Sequence, residues 1–354
     1  NKARKNSTGL FRHAKPLDSI RGFFYSILER RKRMHQKILK ILKETKDYVS
    51  GEQLGEQLGV SRAAIWKAIQ KLKEEGYQIE AVSNKGYYLI SSEDLYNGVE
   101  IQEALTTKVF GKEIFFYEQT DSTNIRIREL AKQGKKEGVL AVAEMQTAGK
   151  GRRGKTWKTL RGTGIWMSLL LCPNMTPPET PLLTLLAGLA VCEAIREQTG
   201  LSADIKWPND ILIQGKKVCG ILTELDAEMD KVNFVVMGIG INVNTECFSE
   251  ELKQAATSLK LEKGESISRK KLLCAVLKQF ETIYYQYEKE GSFLPFLSRY
   301  KKYCINVGRP VQVFSKNPFQ GICVDITPEG ELIVEKENGE RVTVFSGEVS
   351  IRNL

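Results

Sequence analysis

An α+β protein is predicted from the order of helical and strand patterns along the 354-residue chain. Short helical patterns and a hairpin pattern occupy residues 34–92, and several strand patterns follow one another without an intervening helix in residues 99–305. Alternating residues around Pro-Glu-Gly and Asn-Gly turns fill residues 306–354. We therefore expect a winged helix-turn-helix domain, a central domain with a mixed rather than a doubly wound sheet, and a small all-β barrel or sandwich.

The first domain is expected to contain three short helices and a β-hairpin. An apolar stripe at helical spacing opens it, Ser50 with Gln53 forms a capping box for a second helix, and Ser61 caps a third. Residues 77–82 and 87–90 then have the alternation of two strands joined by a tight turn. This order of elements is that of a winged helix-turn-helix.

The third helix is predicted to expose a set of side chains on the side away from its apolar face. Ile65, Ile69 and Leu72 share one face, so the residues between them point away from the core. Basic, aromatic and small side chains on that helix suit a DNA major groove and its phosphates. The predicted DNA-binding residues are Ser61, Arg62, Ala63, Trp66, Lys67 and Lys71. A winged helix that only docks to another protein is the alternative.

The charge of the chain is concentrated in one segment. Residues 1–33 contain ten lysines and arginines against two acids, a net charge of +8, which leaves +2 of the total of +10 for the other 321 residues. The overall charge therefore gives no evidence for nucleic-acid binding. We interpret residues 1–33 as a basic extension that is disordered or non-native, with Met34 opening the folded protein.

The histidines and cysteines limit the chemistry. His13 and His35 are the only histidines, so histidine-dependent nucleophilic triads and His-ligated metal sites are excluded beyond residue 35. No metal site of the protein itself is predicted. Seven scattered cysteines without a C-x-x-C pair are typical of reduced thiols in a cytoplasm. No apolar run reaches the length of a membrane span, and no secretory signal pattern is present.

The central domain is predicted to combine six strands with three helices. The strand patterns cover Glu113–Glu118, Val139–Glu144, Ile165–Leu171, Ile211–Ile213, Val218–Leu225 and Phe234–Val243. The helical patterns cover Thr123–Gln133, Pro181–Gln198 and Ser268–Lys289. The polar residues from Ser91 to Gly98 are interpreted as a linker between the first two domains.

The segment Gly149–Thr159 is the most informative about function. Exposed backbone N–H groups of its glycines and a dense positive charge suit a polyphosphate. The cations are Lys150, Arg152, Arg153, Lys155 and Lys158, with Trp157 among them. The Gly-x-Gly-x-x-Gly spacing also fits a dinucleotide fingerprint, but a strand pattern follows where that fingerprint requires a helix. A solvated basic loop without a ligand is the remaining alternative.

Three further segments are candidates for the same site. Asp121–Asn124 lies at a strand-to-helix junction, where N–H groups and hydroxyls either hold a small polar ligand or simply cap the helix. Lys206–Asp210 places a cation next to an aromatic residue and a proline in a rigid turn. Gly238–Asn242 ends a buried strand with glycines, where the flat face of a nucleotide approaches or the sheet packs tightly.

Taken in order, these motifs resemble those of the biotin–protein ligases, and with the winged helix the chain is similar to the bifunctional BirA-type repressors. The resemblance extends from about Met34 to Arg352. It rests on Ser122–Asn124, Gln146–Gly154, Lys206–Asp210, Lys217–Leu222 and Gly240–Asn242. It implies a biotin- and ATP-binding ligase domain at residues 99–305 and an SH3-like barrel at residues 306–354.

The resemblance implies a two-step reaction. The carboxylate of biotin attacks the α-phosphate of ATP to give biotinyl-5′-AMP and pyrophosphate, and a lysine of a biotin carboxyl carrier protein then attacks the mixed anhydride. A carboxylate is ionised at neutral pH, so the first step needs no general base. It needs positioning and neutralisation of phosphate charge, which Lys206 and Arg152 would supply as catalytic residues together with Mg²⁺.

The resemblance also implies a role for each motif residue. The biotin-binding residues would be Ser122, Thr123, Asn124, Gln146, Gly149, Lys150, Arg152 and Lys206. The ATP- and adenylate-binding residues would be Gly151, Arg153, Trp157, Asn209 and Asn242. Lys150 stands where the family commonly has arginine, so it keeps the charge without the bidentate fork.

A regulatory role follows from the same resemblance. Biotinyl-AMP would promote a homodimer whose two winged helices bind a palindromic operator and repress genes for biotin biosynthesis and uptake. One alternative is a small-molecule-sensing transcription regulator without catalysis, which has no reason to combine Lys206 with Arg152 around an anion. The other is a lipoate–protein ligase, which the basic loop, the Lys206–Asp210 motif and the winged helix all disfavour.

Overall fold

The computed structural model describes residues 34–45, 47–91, 95–314, 317–345 and 350–353. The predicted basic extension, residues 1–33, lies outside the described residues. The chain divides into two compact units, one ending at Leu95 and the other beginning at Tyr96. The predicted α+β class is confirmed, with helix-turn-helix, mixed-sheet and antiparallel-sheet parts in the expected order.

The first unit is built as the sequence predicts. Its elements are α1 (residues 34–44), α2 (Gly51–Leu58), α3 (Arg62–Glu74), β1 (Gln78–Val82) and β2 (Gly86–Ser91). The capping box is confirmed, because Gln53 N donates to Ser50 Oγ at 3.1 Å and Ser50 N donates to Gln53 Oε1 at 2.9 Å. Leu39, Leu54 and Ile65, one from each helix, are fully buried. Their burial supplies the hydrophobic stabilisation that helices this short need.

A close backbone approach fixes the base of the hairpin. Gly86 has φ of +117°, and a Cβ there would lie 2.2 Å from the carbonyl oxygen of Val49. Val49 and Tyr87 exchange two backbone hydrogen bonds of 2.9 Å beside it. Glycine at position 86 therefore allows the backbone at Val49 to form a single β-bridge with the two-stranded hairpin.

The second unit contains a seven-stranded sheet with helices on both faces. Its strands are β3 (Ile114–Tyr117), β4 (Leu140–Ala143), β5 (Gly164–Leu171), β6 (Ala203–Lys206), β7 (Asp210–Ile213), β8 (Lys216–Ala227) and β9 (Val232–Asn242). Its helices are α4 (Gly98–Ala104), α5 (Thr123–Lys132), α6 (Pro181–Thr199), α7 (Leu259–Lys263), α8 (Arg269–Glu290) and α9 (Leu294–Tyr303).

The order of strands is β3-β4-β5-β9-β8-β7-β6, with β3 and β4 parallel and the other neighbours antiparallel. The mixed sheet is therefore confirmed. Helices α6 and α8 pack together over one face, and α5 packs on β4, β5 and β9 from the other. This arrangement leaves the amino-terminal end of α5 directly beside the long central strands.

The last five strands form an antiparallel sheet in the order β13-β12-β11-β10-β14. They are β10 (Pro310–Phe314), β11 (Phe319–Ile326), β12 (Leu332–Glu335), β13 (Arg341–Val344) and β14 (Ser350–Asn353). Val311, Val313 and Leu332 belong to the same buried cluster as the central domain. Across this contact Trp207 Nε1 donates to the carbonyl of Gly330 at 3.0 Å. The sheet thus shares its hydrophobic core with the domain that precedes it.

The structure corrects two expectations about helices. Gly98 was expected to end a linker but opens α4, because Asn97 Oδ1 accepts from Val99 N and Glu100 N at 3.0 Å. Among the described residues, Pro177–Thr199 is long and apolar enough to cross a membrane, where no such run was expected. Its apolar window is 72% buried inside the protein, since α6 is a core helix.

Candidate functional site

A cleft of about 470 Å³ lies where the start of α5, the basic loop and strands β8 and β9 meet. Nine of the predicted site residues line it: Ser122, Thr123, Asn124, Gln146, Lys150, Gly151, Arg152, Trp157 and Asn209. These residues come from three separate parts of the sequence, Asp121–Asn124, Gln146–Thr159 and Lys206–Asp210, which the fold brings together. The cleft has a polar end, a cationic end and a floor that contains glycine.

The polar end consists of hydrogen-bonding side chains that are themselves buried. Thr123 N donates to Gln146 Oε1 at 2.7 Å, and Thr123 Oγ1 lies 3.0 Å from the same oxygen. Ser168, which sequence reasoning did not identify, lies below them with its Oγ 2.6 Å from Thr123 Oγ1 and 2.6 Å from Asn124 Oδ1. Asn124 Nδ2 donates to Glu224 Oε2 at 2.7 Å. The residues expected to hold a small polar ligand therefore form one connected network.

Arg152 and the residues that hold it make the cationic end. Arg152 Nη1 donates to Asn209 Oδ1 at 3.0 Å, and Asn209 is fixed in turn by Ile221 N, which donates to its carbonyl at 2.9 Å. Burial lowers the pKa of the Arg152 guanidinium, the charge of Arg153 lowers it further, and Asp210 acts in the opposite direction. A cation that is desolvated next to a second cation is stabilised by any anion that enters the cleft.

The basic loop is a tight hairpin rather than an open strand. Gly151 N donates to Lys155 O at 2.7 Å, and Trp157 N donates to Gly149 O at 2.9 Å. The turn passes through two left-handed residues, Arg153 with φ of +54° and Gly154 with φ of +72°. Arginine in that conformation is strained, which is a common property of functional loops.

The indole of Trp157 lies on the glycine floor. A Cβ at Gly240 would be 2.9 Å from Trp157 Cε2 and Nε1, and a Cβ at Gly220 would be 2.8 Å from Trp157 Cζ3. Lys217 Nζ lies 5.3 Å from the centre of the same ring. Trp157 Nε1 is buried without a hydrogen-bond partner among the described residues. The glycines of β8 and β9 therefore make room for an aromatic ring of the protein.

Four predicted site residues do not line the cleft: Gly149, Arg153, Lys206 and Asn242. Lys206 is half-buried at the end of β6, before the cis bond between Trp207 and Pro208. Asn242 is 6% exposed and donates through Nδ2 to the carbonyl of Thr257 at 3.2 Å. In this structure Asn242 therefore holds the backbone after β9.

Eight other residues line the cleft and were not named as site residues: Met167, Lys217, Gly220, Ile221, Leu222, Gly238, Ile239 and Gly240. Most of them lie inside the Lys217–Leu222 and Gly238–Asn242 motifs, so the sequence signal was present. The sequence did not show which side chain packs against each glycine: Trp157 on Gly220 and Gly240, and Asn124 on Gly238. Lys217 also forms an ion pair of 2.5 Å with Asp210, which adds a charged group to the cationic end.

The predicted DNA-binding residues on α3 and at its cap lie on the exposed surface of the first unit. Arg62, Ala63, Lys67 and Lys71 are exposed, and the side chain of Trp66 is 54% exposed. Ser61 Oγ accepts from Ala64 N at 3.3 Å and caps the helix. An aromatic ring left in solvent beside several cations has the composition of a DNA-contacting helix face.

Comparisons with known proteins agree with each part of this architecture. Residues 35–88 match a helix-turn-helix domain family, residues 116–242 the biotin/lipoate A/B protein ligase family, and residues 307–352 the biotin protein ligase C-terminal domain. The bifunctional ligase/repressor BirA of Bacillus subtilis is 41% identical over 86% of this chain and 94% of its own. The BirA protein of Escherichia coli is 32% identical over 87% and 94%.

A solved structure of a biotin protein ligase is also similar to this chain. The biotin protein ligase of Aquifex aeolicus, determined in complex with biotin and ATP, has a TM-score of 0.62 at 32% identity and covers 69% of this chain and all of its own. The two BirA relatives are matched over 94% of their own length, and residues 35–88 of this chain match the helix-turn-helix family. The chain therefore belongs to the BirA family of bifunctional biotin ligase/repressors.

Proposed function

We propose that this protein activates biotin with ATP and transfers it to a lysine of a biotin carboxyl carrier protein. The observation that carries the proposal is the cleft, where a neutral hydrogen-bonding end and a cationic end share one floor. A ring urea matches the hydroxyl and amide groups of Thr123, Asn124 and Gln146, and a carboxylate or phosphate matches Lys150 and Arg152. A ligand that fills the cleft would therefore carry both a ring urea and an anionic group.

The first step would be catalysed by positioning and charge. Arg152 is held by Asn209 so that its guanidinium need not reorganise when negative charge develops on the α-phosphate. Lys206 is the last residue of β6 and precedes Trp207, whose indole N–H donates to the carbonyl of Gly330 in the C-terminal sheet. Lys206 would approach the carboxyl group of biotin when ligands bind. Trp157, whose indole lies on the glycine floor, would cover the adenine ring.

Mg²⁺ is the metal ion that this reaction would use. In the described part of the chain no three Asp, Glu, His or Cys side chains form a metal-binding group. That fits an ion that keeps several waters and is held mainly by phosphate oxygens with one or two carboxylates. Asp210 does not line the cleft itself, but it accepts from Asn209 Nδ2 at 3.1 Å and pairs with Lys217 at 2.5 Å, and it is the carboxylate that would join the shell of the ion. The ion would supply positive charge to the phosphates.

Biotin-dependent exchange of pyrophosphate into ATP tests the enzymatic proposal. We expect Arg152→Met to lower the exchange rate on the order of a hundredfold, because one preorganised donor contributes about 3 kcal/mol. Arg161→Met is the matched control, since Arg161 is half-exposed and pairs with Glu118 at 2.6 Å. Exchange that requires lipoate instead of biotin, or equal rates for the two variants, would contradict the proposal.

The regulatory half of the proposal concerns the first unit. The chain would form a homodimer in the presence of biotinyl-AMP, present two α3 helices to palindromic operator DNA and repress genes for biotin supply from within the cytoplasm. Gel shifts with a two-half-site operator test this, with Lys67→Ala expected to weaken binding to all sequences and to reduce the salt dependence by about one phosphate contact. DNA binding that is indifferent to biotin and ATP would remove the corepressor role.

A further inference from the structure

The hydroxyl of Thr159 is bonded to both polar backbone groups of one residue on the opposite side of the basic loop. Gln146 N donates to Thr159 Oγ1 at 2.8 Å, and Thr159 Oγ1 donates to the carbonyl oxygen of Gln146 at 2.8 Å. A threonine hydroxyl has one hydrogen, and that hydrogen is used here on Gln146. One side chain therefore joins two points of the backbone that are 13 residues apart.

The direction of the Gln146 backbone explains why a side chain takes this place. Gln146 forms a parallel bridge with Thr120, in which Thr120 N donates to Met145 O at 3.1 Å and Thr147 N donates to Thr120 O at 2.8 Å. The N–H and C=O of Gln146 itself therefore point to the edge away from Thr120. Backbone groups inside a protein need partners. The hydroxyl of Thr159 satisfies both groups, where a neighbouring strand would otherwise lie.

The side chain of Gln146 reaches the polar end of the cleft. Gln146 is half-buried and lines the cleft, and its Oε1 accepts at 2.7 Å from the backbone N–H of Thr123, the first residue of α5. Its Nε2 lies over Gly149, where a Cβ would be 3.2 Å away. A shift of the Gln146 backbone is therefore carried directly to a side chain that faces the ligand.

Trp157 precedes Thr159 by two residues and is held by the same closure. Trp157 N donates to Gly149 O at 2.9 Å, and a Cβ at Gly149 would lie 2.5 Å from the carbonyl oxygen of Trp157. These contacts and the pair of Thr159 with Gln146 form the base of the basic loop, residues 146, 149, 157 and 159. The base fixes the backbones of Gln146 and Trp157 relative to each other.

The part of the loop that the base closes resists closure. It contains Lys150, Arg152, Arg153 and Lys155, whose like charges repel one another, and it holds Arg153 at φ of +54°. Bringing the ends of a flexible segment together also costs conformational entropy. If the base were open, a ligand would have to supply this free energy when it binds, and its affinity would fall.

We propose that the hydroxyl of Thr159 acts as a positioning group that closes the base of the basic loop before any ligand binds and sets the position of Gln146 relative to Trp157. The inference rests on the proposed function, because Gln146 is assigned there to biotin and Trp157 to the nucleotide. Thr159 does not line the cleft. Its hydroxyl supports the binding of both substrates by holding the residues that contact them.

Pyrophosphate exchange with Thr159→Val tests the inference, because valine has the shape of threonine without the hydroxyl. We expect the KM for biotin and the KM for ATP each to rise roughly tenfold or more, while the exchange rate at saturation stays within about threefold of wild type. The KM values rise because the substrates now have to close the loop, and the rate is kept because the closed loop is the same once both are bound. Trypsin cleavage after Arg152 and Arg153 in the ligand-free protein should be roughly tenfold faster, since an open base exposes the loop.

Three other variants complete the experiment. Thr159→Ser keeps the hydroxyl and should restore both KM values and the slow cleavage. Thr159→Ala removes the hydroxyl without placing a methyl group against the Gln146 backbone, and it should behave like valine. Thr163→Val is the matched control, because Thr163 is also half-buried and its hydroxyl donates to the carbonyl of Leu160 at 3.0 Å, outside the base. The thermal midpoint of every variant should shift by less than about 4 °C, because the contact is local.

The outcomes separate the two proposals. If wild-type protein shows no biotin-dependent exchange, the proposed function fails. If wild type is active but Thr159→Val and Thr159→Ala keep both KM values within about threefold, or if Thr159→Ser is as impaired as they are, the inference is overturned. A lower saturated rate with unchanged KM values, or loss of the folded state in both variants, shows a general structural role and also overturns it. A rise in only one of the two KM values does the same, because a shared base acts on both substrates.

Discussion

The substitution Gly240→Ala adds one methyl group to the floor of the cleft directly below Trp157. The new Cβ would lie 2.9 Å from Trp157 Cε2 and Nε1 and 3.2 Å from Cζ2. Ordinary carbon–carbon contacts are about 3.5–4.0 Å, so the overlap is on the order of half an ångström or more across the face of the indole. Gly240 is on the buried central strand β9, which cannot move away, so the indole has to lift or tilt.

Two costs follow from that movement. Overpacking of this kind typically destabilises a protein by about 1–3 kcal/mol, but here the indole belongs to a surface loop, so we expect the low end of that range. If Trp157 stacks on adenine, misplacing it removes a contact that contributes about 1–3 kcal/mol. That corresponds to an increase of roughly 5- to 150-fold in the KM for ATP, while the binding of biotin alone changes little.

Initial-rate pyrophosphate exchange at varied ATP, with a thermal melt for each protein, measures both effects. Gly188→Ala is the control, because a Cβ at Gly188 in α6 meets only Ile221 Cδ1 at 4.0 Å. It should leave the KM for ATP unchanged, and the helical alanine should stabilise the fold by up to about 1 kcal/mol. An unchanged KM for ATP in Gly240→Ala, at full folding, would refute the assignment of Trp157 to the nucleotide.

Three further predictions concern the fold around the site. Arg269→Met should destabilise the protein by about 3 kcal/mol in urea titration, the low end for loss of one partner of a buried ion pair. It leaves Glu144, whose side chain is 12% exposed, without the guanidinium that now contacts both its oxygens at 2.8 and 3.0 Å. A loss below about 1 kcal/mol would contradict this. The side-chain hydrogen bond from Lys301, with the backbone N–H of Ile326, lowers the pKa of Asp325 below its ordinary value of 3.8. A lowered native pKa stabilises the fold above that ordinary value, and the effect is lost as the pH falls through the native one, so Asp325→Asn should flatten the loss of stability below about pH 4. An acid limb as steep as that of wild type would count against the pair. Finally, a thiol reagent at mildly alkaline pH should modify the exposed Cys172 and Cys247 in the native protein, whereas the buried Cys192, Cys219, Cys304 and Cys323 should react only on unfolding. Rapid modification of four or more thiols in the native protein would be inconsistent with the buried core.

The sequence by itself determined the features that depend on near neighbours. The capping box of Ser50 and Gln53, the cap at Ser61 and the alternation of the hairpins involve residues a few positions apart, and each is found where it was expected. Long strands with continuous apolar runs, such as β5 and β9, were located for the same reason. Short helices such as α4 and α7 were missed, because so few residues carry little periodic pattern.

The tertiary structure decided which motif residues face the cleft and what holds them. Asn124 lies on Gly238 and donates to Glu224, a hundred residues further along the chain. Trp157 lies on Gly240, and Ser168 joins the network although no motif contains it. Such contacts depend on strand register and on the approach of backbones that are remote in sequence. A pattern read along one chain contains residue types and spacings, but it does not contain the pairing of β5, β8 and β9 that brings these groups together.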